Sequence, residues 1–177
     1  MALLVLSVIG SDRPGLTQAL AAAVLSAGGN WLESRLSQLG GLYVGSVLVE
    51  LEGGGVERLR SAVRSVDAQG LEVRIAPAVE AAPAVAQGAA AGDALGFTLV
   101  GQDRPGIVNQ VTGVLSRLGA NIETFETWVD AEPHSGAPLF HMDARLRLPP
   151  GLSAGGVQAA LEDISAEVMV DISLTPA

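Results

Sequence analysis

The sequence predicts an α+β protein built from two ferredoxin-like βαββαβ domains, and three observations carry the prediction. A six-residue motif occurs twice, as Gly10-Ser11-Asp12-Arg13-Pro14-Gly15 and as Gly101-Gln102-Asp103-Arg104-Pro105-Gly106, displaced by 91 residues. The same displacement carries one helical apolar pattern onto another, with Leu16, Leu20 and Val24 becoming Ile107, Val111 and Leu115. It also carries a Gly-x-Asn exit, Gly28 and Asn30, onto Gly119 and Asn121. A motif repeated together with its flanking periodicity marks a duplicated structural unit.

The elements follow in chain order. The first strand is expected over Leu3 to Ile9 and its copy over Leu95 to Val100. Leu95, Phe97 and Leu99 point one way and Thr98 the other. The matching core face of copy one is Leu4, Leu6 and Val8. Its second face carries Leu3, Val5 and Ser7 and is still apolar, as in strands covered on both sides; that face is expected to be hidden, against another chain. The first helix carries Leu16, Leu20, Ala23, Val24 and Ala27 at helical spacing, and its copy Ile107, Val111, Val114, Leu115 and Leu118. Asp12 and Asp103 are placed as N-caps ahead of a proline suited to the first turn. Gly28 and Gly119 stop the helices. Strand two spans Asn30 to Leu39, and Asn121 to Val129 in the copy. Gly40-Gly41 turns the chain into strand three, Leu42 to Leu51, whereas copy two has a longer loop, Asp130 to Pro138, before Leu139 to Leu148. Second helices are expected near Val56 to Val66 and Ser153 to Ile164, with Leu59, Val63, Val157 and Leu161 inward. Fourth strands follow at Leu71 to Ile75 and Val168 to Leu174. The domains are therefore read as residues 1–76 and 94–177, joined by an Ala/Pro-rich linker, 77–93.

Composition narrows the function. A chain of 177 residues with a formal net charge of −9 and no basic cluster lacks the electrostatic footprint of a nucleic-acid binder. There is no cysteine, which excludes disulfides and thiolate metal sites. The apolar start has no basic segment and runs directly into the first motif, so it reads as a strand and not a leader. No apolar run reaches the length of a membrane span. A cytoplasmic protein is expected.

The motif lies where a strand gives way to a helix. A helix N-terminus offers unpaired amides and a partial positive charge, and so accepts a carboxylate or phosphate. Gly15 leaves room for a close approach, and Pro14 fixes the turn without losing an amide the helix needs. Asp12 is placed to cap the helix or to receive an ammonium group. Asn30 can both donate and accept. Together these residues suit a small amphoteric ligand such as a free amino acid. The same holds for Asp103, Arg104, Pro105, Gly106 and Asn121. A purely structural turn and cap is the alternative reading.

The strand–motif–helix–Asn unit in a βαββαβ frame resembles the ACT domain, a regulatory small-molecule-binding module. A free-standing tandem pair with the motif in both copies resembles the glycine cleavage system transcriptional repressor family. The resemblance covers nearly the whole chain. It implies amino-acid binding between paired ACT domains, lined by Asp12, Arg13, Pro14, Gly15 and Leu16, by Asp103, Arg104, Pro105, Gly106 and Ile107, and by Asn30 and Asn121. It also implies side-by-side pairing into an eight-stranded antiparallel sheet with helices on one face.

Other residues carry weaker signals. Asp130, Glu132, His134 and His141, in or near the second hairpin, contain cation-ligand types at no standard spacing. Trp31 and Trp128 read as packing residues, His141 as a sheet-surface residue, and Glu33, Arg35, Glu123 and Glu126 as exposed strand charges. No catalytic constellation is recognisable. The expected function is a non-enzymatic regulatory protein that senses a small amino acid, glycine or serine. It would need no cofactor, would pass its signal to a protein partner and would self-associate. The alternatives are a ligand-free assembly module and, by fold analogy alone, a small acyl-phosphatase-like enzyme using Arg13 or Arg104 with Asn30 or Asn121.

Overall fold

The computed structural model describes residues 1–79, 92–132, 135–168 and 170–176. The chain divides into two units, Met1–Ala81 and Ala82–Ala177, each with its own apolar core. Unit one contains β1 (Ala2–Ser11), α1 (Leu16–Ser26), β2 (Gly29–Leu39), β3 (Leu42–Leu51), α2 (Gly55–Asp67) and β4 (Leu71–Pro77). Unit two repeats the order with β5 (Ala94–Gln102), α3 (Ile107–Arg117), β6 (Asn121–Ala131), β7 (Pro138–Arg147), α4 (Ala154–Val168) and β8 (Val170–Pro176). Each forms a four-stranded sheet, ordered β2-β3-β1-β4 and β6-β7-β5-β8, and the paired strands are antiparallel. Both units are ferredoxin-like α+β folds. Of segment 77–93, residues 80–91 lie outside the described residues, as does His134. Among the described residues, no helix is long and apolar enough to cross a membrane.

The cores follow the alternation of the strands. Leu4, Leu6 and Val8 of β1 are buried with Val47, Val49 and Leu51 of β3 beneath Leu16, Leu20 and Val24 of α1 and Leu59, Val63 and Val66 of α2. In unit two, Leu95, Phe97, Leu99, Met142 and Leu146 meet Ile107, Val111, Leu115, Val157 and Leu161. Burying each such side chain contributes about 1.5–3 kcal/mol relative to exposure. The strands run one or two residues past their apolar stretches, because backbone pairing continues where side chains have left the core: β1 reaches Ser11 opposite Leu42. Unlike the core face, the second face of β1 is only partly covered, with Leu3 and Val5 half-buried and Ile9 46% exposed.

Local chemistry sets the joints. Gly40 and Gly41 have φ of 59° and 80°, the two positive values that a two-residue type I′ hairpin needs between Leu39 and Leu42. Ser153 caps α4, its Oγ accepting from the Gly156 amide at 3.2 Å. A bulge recurs at one displacement in both edge strands, between Trp31 and Glu33 and between Ile122 and Thr124. The guanidinium of Arg58 on α2 donates twice to the Ala27 carbonyl at the end of α1, at 3.2 and 3.1 Å. A cation at a helix C-terminus also meets the negative end of its dipole. Arg58→Ala removes both contacts and is expected to lower unit-one stability by about 1–2 kcal/mol in urea unfolding; Arg60→Ala, on the exposed Glu57 pair, serves as the near-neutral control.

Candidate ligand site at the first helix tip

Each motif starts inside the sheet. Gly10 sits between Tyr43 of β3 and Leu71 of β4, and a Cβ there would stand 2.1 Å from the Gly70 carbonyl oxygen. Only glycine lets the strands close. Asp12 and Arg13 then leave the sheet, and Gly15 turns the chain into α1 with φ of 94°. Gly15, not Asp12, is the N-cap: its carbonyl accepts the Ala19 amide at 2.9 Å, and no side chain caps the helix. Copy two repeats this, with Gly106 at φ 97° accepting the Gln110 amide at 3.0 Å. The capping role expected of Asp12 and Asp103 is therefore overturned, because each aspartate lies three residues ahead of its cap. The absence of a side-chain cap leaves the Leu16, Thr17 and Gln18 amides without an acceptor inside the helix.

A hollow of about 290 Å³ opens at this tip, lined by residues 12–17 and Tyr43. Asp12 forms its wall, its Oδ2 accepting from Gln38 Nε2 at 2.9 Å. Thr17 Oγ1 and the Tyr43 hydroxyl lie 2.9 Å apart. Arg13 folds back instead of reaching inward: its Nε donates to Ser11 Oγ at 3.0 Å, and its guanidinium borders Gly70. Sequence reasoning missed Tyr43, Thr17 and Gln38. Tyr43 follows the Gly40-Gly41 turn closely, and the hairpin register sets it beside Gly10 and Gln38.

Register also identifies their counterparts. Phe140 pairs with Gly101 and Val129 as Tyr43 pairs with Gly10 and Gln38, and Val108 follows Ile107 as Thr17 follows Leu16. The second tip thus replaces three polar groups by apolar ones on the same backbone. There Arg104 Nη2 donates to Gln110 Oε1 at 3.1 Å, while its buried Nε has no partner.

The asparagines are not at the tip of their own unit. Asn30 pairs with Glu50, whereas the motif end of the sheet is marked by Leu42 opposite Ser11. Eight residues of β3 separate the two ends, about 26 Å. Asn121 likewise pairs with Arg147, at the far end from Gln102 and Leu139. It borders an open groove of about 620 Å³ that runs along Asn109, Thr112, Gly113 and Ser116 of α3. This separation of Arg13 from Asn30 also removes the acyl-phosphatase-like arrangement within a unit.

The weaker candidates divide. Trp31 packs on the core, but Trp128 is 41% exposed and stacks on His141 with ring centroids 5.0 Å apart. Trp128 Nε1 donates to Asp130 Oδ2 at 3.0 Å, and His141 Nε2 is 3.9 Å from the same oxygen. Among the described residues, no three His, Cys, Asp or Glu side chains gather as a metal set. Glu33 and Arg35 form an exposed pair, while the side chain of Glu123, at the second bulge, is 30% exposed and held by both Arg145 and Arg147.

Two ferredoxin-like units, each with a glycine-turned β–α tip, define a tandem α+β module. The ACT domain family matches residues 2–76 and 95–131, and the chain belongs to that family. A protein from Galdieria sulphuraria described only as unknown is 32% identical, with a TM-score of 0.84 over 99% of this chain and 98% of that one. A candidate glycine cleavage system transcriptional repressor shares the fold at 16% identity, with a TM-score of 0.66 over 98% of this chain and 96% of that one. No curated protein matches.

The two motif glycines have separable roles. Gly10→Ala forces a Cβ into backbone and is expected to cost about 3 kcal/mol or more. Gly15→Ala meets no atom within 4 Å but keeps a left-handed φ, costing about 1–2 kcal/mol. Urea unfolding of the two variants measures the difference.

Proposed function

We propose that the chain is a regulatory, non-enzymatic protein that binds a small amino acid, glycine or serine, at its Asp-Arg-Pro-Gly helix tips. The observation that carries this is the hollow at the tip of α1, with uncapped amides on one side and the Asp12 carboxylate on the other. A zwitterion complements both, its carboxylate toward the amides and its ammonium toward Asp12. A hollow of about 290 Å³ has room for a free amino acid, glycine and serine included, and the Thr17 and Tyr43 hydroxyls offer partners to a polar side chain.

The far placement of Asn30 and Asn121 supports ligand binding between paired ACT domains. A partner ACT domain running antiparallel along a β2-type edge would bring the start of its own edge strand to the motif end. Its asparagine would then face the tip, and the two sheets would continue as eight strands. Ligand would bridge both partners and so favour the paired arrangement, by no more than the difference in affinity between the two states. A chain of net charge −9 suits relay to a protein partner better than direct contact with DNA, and transcriptional control through such a partner is the output that fits the repressor-like relative. We place the protein in the cytoplasm.

Titration calorimetry of the full chain against glycine, serine and larger amino acids tests the proposal. Saturable heat is expected with the small ligands, and Asp12→Ala with Asp103→Ala should weaken binding at least about tenfold, roughly 1.4 kcal/mol, with unchanged circular dichroism. Silence across the set at millimolar ligand would refute it.

A further inference from the structure

The two helix tips share one backbone course and differ in three side chains, all in the same chemical sense. Gln38 and Tyr43 beside the first tip stand where register sets Val129 and Phe140 beside the second. Thr17 stands where the displacement of 91 sets Val108. Unit two therefore shows that this frame folds without any of the three polar groups. Phe140 is buried in the core of its unit, and the Tyr43 ring packs on the core of unit one in the same way. Packing thus accounts for the ring at this position and not for its hydroxyl. What Tyr43 adds over phenylalanine lies at the hollow that it lines.

The hydroxyl pair is arranged to receive a third hydroxyl. Thr17 Oγ1 and Tyr43 Oη lie 2.9 Å apart, one donating to the other. A hydroxyl carries one proton and two lone pairs. The bond between them uses one proton and one lone pair, so the pair keeps one proton to donate and three lone pairs. A ligand hydroxyl can therefore accept from one member and donate to the other, whichever of the two is the donor in the free protein. Asp12 is held on the same hollow, since Gln38 Nε2 donates to its Oδ2 at 2.9 Å; the other carboxylate oxygen is left for an ammonium group. Asp12, Leu16, Thr17 and Tyr43 border one space of about 290 Å³. Recognition of the carboxylate, the ammonium and the side chain of one small amino acid thus converges there. At the second tip a ligand hydroxyl would meet Val108 and Phe140, which offer it no partner in exchange for water.

We propose that the first tip selects a hydroxyl-bearing amino acid, serine over alanine and glycine, with Thr17 and Tyr43 as the specificity-determining pair and Gln38 as the residue that positions Asp12, while the second tip does not distinguish serine from alanine. This rests on the reading that the tips bind a small amino acid, and it adds which residues choose the side chain and that the two copies choose differently. The hollow is open to water, so the discrimination is that of one or two net hydrogen bonds, roughly tenfold. It is not the far larger rejection achieved by a closed polar site.

Tyr43 is the only tyrosine of the chain, so ring-labelled tyrosine gives one NMR signal that reports on the first tip alone. The full chain is titrated with serine, alanine and glycine, followed by that signal and by calorimetry. The signal is expected to move saturably with each, at a serine concentration roughly tenfold lower than for alanine or glycine. Thr17→Val and Tyr43→Phe install the residues that unit two carries at the same positions, so the fold should tolerate them. Each should bring the serine affinity down to that of alanine and leave the alanine affinity unchanged; a merely structural role would weaken both ligands alike. Equal affinities for serine and alanine at the Tyr43 signal would overturn the inference while leaving amino-acid binding in place. So would a serine preference that survives both substitutions, or saturable serine heat with an unmoved Tyr43 signal. Neither heat nor signal with any of the three would sink the function reading itself, and this inference with it.

Discussion

The left-handed backbone at Gly15 and Gly106 is the constraint on which the rest of each unit depends. A central strand must end, and a helix must begin over the same sheet, within four intervening residues. A non-glycine residue pays a strain penalty in that conformation, of the order of 1–2 kcal/mol. Gly10 meets a second demand at the same joint, since the Gly70 carbonyl occupies the space of its side chain. Between them the glycines decide where α1 starts, which amides point outward and how far Asp12 stands from them. The hollow is a consequence of that geometry.

Duplication has kept the joint and changed its surroundings. Gly15 and Gly106 differ by only 3° in φ, 94° against 97°. Yet Thr17, Gln38 and Tyr43 around the first tip stand where Val108, Val129 and Phe140 stand in the second. The far sheet faces diverge in the opposite sense: Leu48 and Val44 of unit one stand where Arg145 and His141 stand in unit two. A backbone constraint is hard to relax without unfolding the unit, whereas each side-chain exchange costs at most a few kcal/mol at a surface. The two copies are thus free to specialise in what they touch while remaining identical in how they fold.

The same distinction explains what was legible in the sequence. The repeat, the alternation of β1 and the helical spacing of Leu16, Leu20 and Val24 are backbone-scale patterns, and the order of elements followed from them. The hairpin at Gly40-Gly41 and the helix stops at Gly28 and Gly119 were readable because they are φ requirements written as residue types. Asp12 was misread as a cap because aspartate ahead of a helix usually caps it; here the left-handed glycine moves the start three residues on. Asn30 was placed beside the motif because only a helix separates them in sequence. That helix of eleven residues carries the chain about 16 Å along the sheet, which delivers Asn30 to the opposite end. Tyr43 was invisible to a constant displacement of 91, because the longer β6–β7 loop shifts its counterpart to Phe140. Trp128 was expected to pack, but it lies on the edge strand and on the face away from the helices, where it stacks on His141 and bonds Asp130.

The opposite placement of motif and asparagine has a further consequence for how such a unit would respond to ligand. Were both on one end of the sheet, a single ACT unit could close around an amino acid and pairing would be irrelevant to affinity. With about 26 Å of strand between them, a ligand that needs both must take one from each of two units. Affinity then contains the pairing equilibrium, and by linkage the pairing equilibrium contains the ligand. β2 and β6 carry exposed side chains along nearly their whole length, as the proposed edge pairing requires.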